Sequence, residues 1–187
     1  MKEISSAILM LIIFTIICGG IYPAVVTGVA NALFPKQAQG SLIKDSRGKE
    51  LGSSLIGQPF FAPKYFWPRP SAASDFGYNS MGSGGSNSGP TNPDYLKTVG
   101  DRVKALRETG VTGSLPADLV QASASGLDPH VTPESAMLQV PRVAKARRLS
   151  EEAVKKAVSQ ATEDRQFGFL GAPRVNVLVL NLELDRL

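Results

Sequence analysis

Cysteine and histidine are almost absent from this chain of 187 residues, which contains only Cys18 and His130. Cys18 lies in an apolar segment, so the rest of the chain can form neither a disulfide nor a cysteine-ligated metal site. Zinc lacks its usual ligands, and a Cys-His nucleophile is excluded. A Ser-His-Asp arrangement could use only His130. That histidine lies between Pro129 and Thr132, in a segment typical of a capping turn.

Clusters of like charge are also lacking. The formal net charge is +4 and the pI is about 9.3, but lysines and arginines alternate with acidic residues along the chain. The sequence therefore gives no support to nucleic-acid binding. The Asp and Glu residues do not group into an oxygen cage for a cation, so no metal ligand is predicted.

A charge-free apolar stretch covers residues 4–35. About 20 apolar residues suffice to span a bilayer as a helix, so residues 1–35 are predicted to be a membrane anchor and residues 36–187 a soluble domain. The alternative is a signal peptide cleaved near Ala32, but the apolar run greatly exceeds the usual length of such signals. The basic residues after the span do not decide the orientation, because large domains are translocated regardless of charge.

Small residues recur every four positions in this span, at Gly20, Ala24 and Gly28. This spacing places them on one helical face, where a second helix could approach closely. We predict these three residues as contacts with partner helices. Pro23 removes a backbone donor, so a kink or break is predicted near Tyr22.

The soluble part is predicted to be one α+β domain with a small sheet and several helices. Short extended segments around the turn residues Asp45 and Gly48 predict a small sheet. Helices are predicted from Asn92 to Gly110, from Thr132 toward Arg148 with an interruption or offset at Pro141, and after Ser150. Residues 174–184 are predicted to be an interior strand.

Residues 57–93 combine many Gly, Ser, Asn and Pro residues with seven of the 13 aromatic residues. Large apolar side chains need burial, in the domain itself or under a partner. We therefore predict an ordered, functional loop region, and the alternative is a cluster that packs only on its own domain. The glycine-rich run within it includes Ser83, Gly84, Gly85, Ser86 and Asn87.

This run could cradle a phosphate through its backbone N–H groups, but no Gly-Lys-Ser/Thr sequence follows to complete a Walker motif. Loop freedom or a closely packed turn is the alternative. Gln139 is a second candidate for nucleotide contact, through its primary amide, and the alternative is a hydrogen bond to a neighbouring turn. Both assignments are ATP-related expectations without a motif to support them.

Seven motifs spread over the chain together resemble one known family. They are residues 22–28 (YPAVVTG), 55–58 (LIGQ), 66–72 (FWPRPSA), 83–93 (SGGSNSGPTNP), 126–130 (GLDPH), 139–147 (QVPRVAKAR) and 175–182 (VNVLVLNL). The chain resembles the C subunit of the Kdp potassium-transporting P-type ATPases, the KdpC family. Within these motifs, Phe66, Trp67 and Arg69 are predicted partner contacts.

The resemblance implies a single-pass, non-catalytic subunit of a high-affinity, ATP-driven potassium uptake complex in the bacterial plasma membrane. Its partners would be a channel-like potassium-binding subunit, a P-type ATPase subunit and a small fourth subunit. The family is described as a catalytic chaperone that raises the ATP affinity of the ATPase subunit, so any ATP would be shared with that subunit. The soluble domain would lie on the outer face. A membrane-tethered hydrolase using His130 and a free-standing tethered binding module are the alternatives.

Overall fold

The polypeptide divides between Ser53 and Ser54 into two units. The structure, a computed structural model, describes residues 2–73 and 76–187. The first unit contains the apolar helix and a β-hairpin, and the second contains the remaining helices and a small sheet. The boundary predicted from the sequence lies earlier, between residues 35 and 36, where the apolar segment ends.

The first unit begins with one continuous helical segment. It consists of α1 (Lys2–Ile16), a π-helical turn (Ile17–Ile21) and α2 (Tyr22–Leu33), and none of its residues is buried. The segment of 32 residues is long and apolar enough to cross a membrane. Within a bilayer, its exposed apolar side chains would face lipid or other helices.

The irregularity predicted near Tyr22 is present as the π-helical turn rather than as a break. The Tyr22 N–H donates to the carbonyl of Ile17, five residues back. Pro23 follows directly and has no N–H to donate, so a wider turn before it accommodates the ring. The helix therefore continues through the proline.

A short hairpin ends the first unit. After α3 (Pro35–Ala38), β1 (Leu42–Lys44) pairs antiparallel with β2 (Glu50–Ser53). In the turn, Asp45 Oδ1 accepts from the N–H groups of Arg47 at 2.8 Å and Lys49 at 2.9 Å. Gly48 has φ +81°, a conformation that favours glycine. The predicted small sheet around these turn residues is confirmed.

The second unit has an antiparallel sheet of three short strands, β3 (His130–Val131), β4 (Thr162–Glu163) and β5 (Arg174–Asn176), in the order β3-β5-β4. Its helices are α4 (Pro93–Glu108), α5 (Pro133–Arg147), α6 (Glu151–Gln160) and α7 (Val177–Leu184). Two 3-10 turns cover Ser80–Gly82 and Ala117–Leu119. The α+β class is confirmed.

The helix starts are set by polar caps. Asn92, Thr132 and Ser150 each accept hydrogen bonds from the first-turn N–H groups of α4, α5 and α6. Of the two alternatives predicted at Pro141, the interruption is wrong, because α5 runs through the proline. Pro141 deprives the carbonyl of Met137 of its helical donor, and Met137 is 39% exposed, on the side of α5 nearer to solvent.

The predicted strand over residues 174–184 is also wrong beyond its first three residues. Asn176 ends β5 and caps α7, because its Oδ1 accepts from the Val179 N–H at 3.1 Å. Five of the eight residues of α7 are buried, so the helix is apolar all round and shows no helical period. Its alternating valines and leucines are therefore indistinguishable from those of an interior strand.

The core of the second unit lies between α5, α6, α7 and β5. Its fully buried residues include Val140, Val143, Val158, Val175 and Leu180. A second cluster, around Leu106, Leu119 and Val120, packs beneath α4. Trp67 packs against this second cluster, and Phe66 belongs to the first. The loop region of residues 57–93 thus contacts both clusters.

The capping role of Asn176 is testable with the full chain. Asn176→Ala should lower the free energy of unfolding by about 2 kcal/mol, because it removes the cap and the Nδ2 bond to the Ser54 carbonyl, which is 2.8 Å long. Asn176→Ser keeps a capping hydroxyl and should recover about 1 kcal/mol. Denaturant unfolding followed by circular dichroism measures both, and equal losses would contradict the capping role.

Candidate functional site

Two buried side-chain amides hold the backbone of Phe66 and Trp67. Asn181 of α7 accepts from the Phe66 N–H at 2.8 Å and donates to its carbonyl at 3.0 Å. Gln139 of α5 does the same for Trp67, at 2.8 and 3.2 Å. Each amide therefore pairs with one residue as a neighbouring strand would. This amide pair fixes an irregular loop without a sheet.

These contacts bear on two of the predicted site residues. Phe66 has no exposed surface and lies in the core, so its side chain is not a partner contact. Gln139 is also fully buried, and its Nε2 makes a further bond to the Ser135 carbonyl at 3.2 Å. A nucleotide could reach Gln139 only if this network opened. The alternative for Gln139, a bond to a neighbouring turn, matches the structure.

Two arginines of α5 extend the same network. Arg142 donates to the carbonyls of Pro63 at 2.7 Å and Tyr65 at 2.9 Å, and its guanidinium lies 4.2 Å from the centre of the Trp67 ring. Burial lowers the pKa of Arg142 to about 10, so it stays charged at neutral pH. Arg147 donates to the carbonyl of Lys64 at 2.6 Å. Both arginines therefore hold the loop against α5.

Arg69, two residues after Trp67, forms a polar cluster with Asp128 and His130. Asp128 accepts from Arg69 Nη1 at 3.1 Å and lies 3.5 Å from His130 Nδ1. Burial alone would raise the pKa of Asp128, but hydrogen bonds from His130 and Arg69 outweigh it and hold the pKa below the usual value. Tyr78 donates to the Arg69 carbonyl, and burial, followed by the charge of Asp128, raises the pKa of its phenol.

The glycine-rich run packs against residues 123–126 of its own chain. The Gly84 N–H and the Ser83 hydroxyl both donate to the carbonyl of Ser125, at 3.0 and 2.9 Å. A Cβ on Gly85 would lie 3.1 Å from the Ala124 carbonyl oxygen. Ser86 and Asn87 follow and are both exposed, and Asn87 has φ +51°. The Gly84 amide is thus already used, which matches a closely packed turn better than a phosphate cradle.

A half-open cavity of about 400 Å³ lies beside this framework, within the usual range for ligand pockets. We call it the aromatic cavity. Its walls come from residues 59–61, residues 67–71, residues 76–78 and α4, with Leu119. Trp67 and Arg69, both predicted as partner contacts, are among them. The aromatic residues at the cavity are Phe60, Phe61, Trp67, Phe76 and Tyr78.

The small-residue face of the apolar helix is the other candidate contact. Gly20, Ala24 and Gly28 are all exposed. A Cβ added to Gly20 or Gly28 would meet nothing within 4 Å. Gly20 lies in the π-helical turn and the other two lie in α2. Within the first unit nothing described covers this face, so a helix of another chain could pack against it.

Comparison with known proteins identifies the family. The profile described as "KdpC: K+-transporting ATPase, c chain" matches residues 4–186. The chain belongs to the KdpC family. A "Potassium-transporting ATPase KdpC subunit" from Geobacter sulfurreducens is 71% identical over 187 residues, which are 100% of this chain and 99% of that protein. One from Methylococcus capsulatus is 56% identical over 183 residues, 97% of this chain and 96% of that protein.

The KdpC family assignment and the apolar helix together place the chain in a membrane. The resemblance identified from the seven motifs is confirmed. Sequence reasoning missed Asn181, which pairs with Phe66, and Arg102, which lines the aromatic cavity. Asn181 is a lone amide in an apolar run, and that signal could have indicated a buried hydrogen-bonding role.

The role of Gln139 can be separated from nucleotide binding. Gln139→Leu leaves the N–H and carbonyl of Trp67 without these partners, and should lower the free energy of unfolding by about 2–4 kcal/mol. Denaturant unfolding of the full chain measures this loss. Unchanged stability together with weakened ATP binding would contradict the structural role and restore the nucleotide interpretation.

Proposed function

We propose that this chain is a non-catalytic accessory subunit of an ATP-driven potassium uptake complex. The observation that carries the proposal is the match to the KdpC family over almost the whole chain, with relatives named as subunits of potassium-transporting ATPases. A subunit of this kind needs a membrane anchor and surfaces for its neighbours. The apolar helix supplies the first, and the small-residue face and the aromatic cavity supply the second.

The proposed partners are a channel-like potassium-binding subunit, a P-type ATPase subunit and a small fourth membrane subunit. Helices in a bilayer associate through close packing of small residues, so the face of Gly20, Ala24 and Gly28 is the proposed contact in the membrane. Trp67 and Arg69 are the proposed contacts outside it. Both line the aromatic cavity, and the amide pair and Arg142 hold Trp67 in position.

The finer part of the proposal is that the subunit raises the ATP affinity of the ATPase subunit as a catalytic chaperone. The hydrogen bonds of Gln139 and Gly84 are made within the chain. Because these groups already have partners within the chain, the effect on ATP affinity is proposed to act through contacts between subunits. The soluble part is proposed to lie on the outer face of the plasma membrane.

Assembly tests the membrane contact. Gly28→Leu should reduce copurification of this chain with the other subunits by about tenfold, because the larger side chain separates the helix backbones. Ala30→Leu, two residues along α2 and turned away by about 200°, is the matched control and should have little effect. Gly20→Leu tests the same face at the π-helical turn. If Gly28→Leu copurifies as well as Ala30→Leu, the face is not the contact.

Orientation is tested in intact cells. Ser46 lies in the exposed turn of the hairpin, and Ser46→Cys in a Cys18→Ser background provides a single thiol. A membrane-impermeant maleimide should label it in intact cells as fully as in permeabilised cells if the soluble part lies outside. Labelling only after permeabilisation would place the hairpin in the cytoplasm.

A further inference from the structure

Two large aromatic side chains at the mouth of the aromatic cavity are mostly exposed to solvent. Phe61 and Phe76 are 80% and 75% exposed, although both line the cavity. A large aromatic side chain buries about 150–250 Å² when it is covered, and such residues commonly anchor interfaces. A small molecule on the cavity floor would leave these rings exposed, whereas a polypeptide that continues over the mouth would cover them.

The wall of the cavity also carries the positive charge of Arg102, which lies in a mostly apolar lining. Arg102 of α4 lines the cavity and donates to the carbonyl of Val120 at 2.9 Å. Burial lowers the pKa of its guanidinium, but arginine remains protonated at neutral pH. Among the carboxylates of residues 2–73 and 76–187, none forms an ion pair with Arg102, whereas Arg69 is paired with Asp128.

A half-buried arginine beside an apolar cavity selects an anionic partner. A carboxylate brought against Arg102 would form a charge-assisted hydrogen bond in a partly desolvated site, the stronger kind of such bonds. A cationic segment would be repelled by Arg102, whereas the charge of Arg69 is balanced by Asp128. The cavity therefore combines space for an apolar side chain with a fixed position for one negative charge.

We infer that the aromatic cavity receives a polypeptide segment of another subunit, which inserts an apolar side chain between Phe61 and Phe76 and places an Asp or Glu carboxylate on Arg102. This inference rests on the proposed function, since it requires the chain to be part of a complex. It adds the chemistry of the docking segment, an acidic residue beside an apolar anchor, and assigns a specificity-determining role to Arg102.

The test uses the purified complex and a thiol at the cavity mouth. Ala105 lines the cavity and is exposed, whereas its neighbour Lys104 is exposed but does not line it. Ala105→Cys, with Cys18→Ser, should be labelled by a maleimide at least about tenfold more slowly in the complex than in the isolated chain, because the docked segment covers it. For Lys104→Cys, the ratio of the labelling rate in the isolated chain to that in the complex measures how assembly affects a thiol outside the cavity. This ratio should be smaller than the ratio for Ala105→Cys.

A benzophenone maleimide attached to the thiol of Ala105→Cys then identifies the occupant by mass spectrometry. The expected product is a peptide of another subunit that contains Asp or Glu next to an apolar residue. A cross-link to lipid alone, or to a peptide without an acidic residue, would overturn the inference. If the chain copurifies but this thiol stays fully reactive, the docking inference fails and the subunit assignment stands. If the chain does not copurify, the proposed function fails.

Arg102 is tested by charge. Arg102→Gln, combined with Ala105→Cys, should restore labelling of the introduced thiol and weaken assembly about tenfold or more, the value of one charged hydrogen bond. With Arg102 present, added salt should weaken docking and so speed up maleimide labelling of Ala105→Cys in the complex. With Arg102→Gln, added salt should not change the labelling rate. The exposed Arg165→Gln is the matched control, and equal effects of the two variants would contradict the inference.

Arg102→Gln also removes the bond to Val120, so a second variant separates docking from folding. Ala105→Trp fills the cavity mouth without touching that bond, and should weaken assembly while the unfolding transition is unchanged. Lys104→Trp adds the same ring outside the cavity. Assembly that is as tight in Ala105→Trp as in Lys104→Trp would exclude an occupied cavity.

Discussion

The second unit depends on two primary amides that replace a missing strand. Asn181 and Gln139 are buried in α7 and α5, and each satisfies both backbone groups of one loop residue. Buried backbone groups must find partners or destabilise the fold. A loop with almost no regular secondary structure can therefore lie against the core only because these side chains complete its hydrogen bonds. Arg142 and Arg147 continue this arrangement by donating to the loop carbonyls before Phe66.

Much of the architecture could be predicted from local signals. Proline after a polar cap indicated the starts of α4 and α5, and the turn residues Asp45 and Gly48 indicated the small sheet of the first unit. These features depend on a few adjacent residues, so a single sequence contains them. The apolar helix was equally clear, because an uncharged apolar run of this length is typical of a membrane span.

The rest depended on tertiary contacts. The switch from β5 to α7 at Asn176 has no helical period to reveal it, because the helix is buried on all sides. Gln139 was predicted as a nucleotide contact and Phe66 as a partner contact, since sequence cannot tell which buried partner a polar or aromatic group will meet. Arg102 lies in none of the seven motifs, and only the position of α4 beside the loop brings it to the aromatic cavity.

The way Trp67 is held has a consequence for association. Its backbone is paired with Gln139, its ring lies against Arg142, and both partners belong to the same helix, α5. The conformational entropy of Trp67, which forms part of the wall of the aromatic cavity, is therefore largely lost during folding, before a partner binds. Binding to a prearranged wall costs less ordering than binding to a mobile one. A polypeptide that binds to the aromatic cavity would therefore adapt its own conformation to a preformed surface.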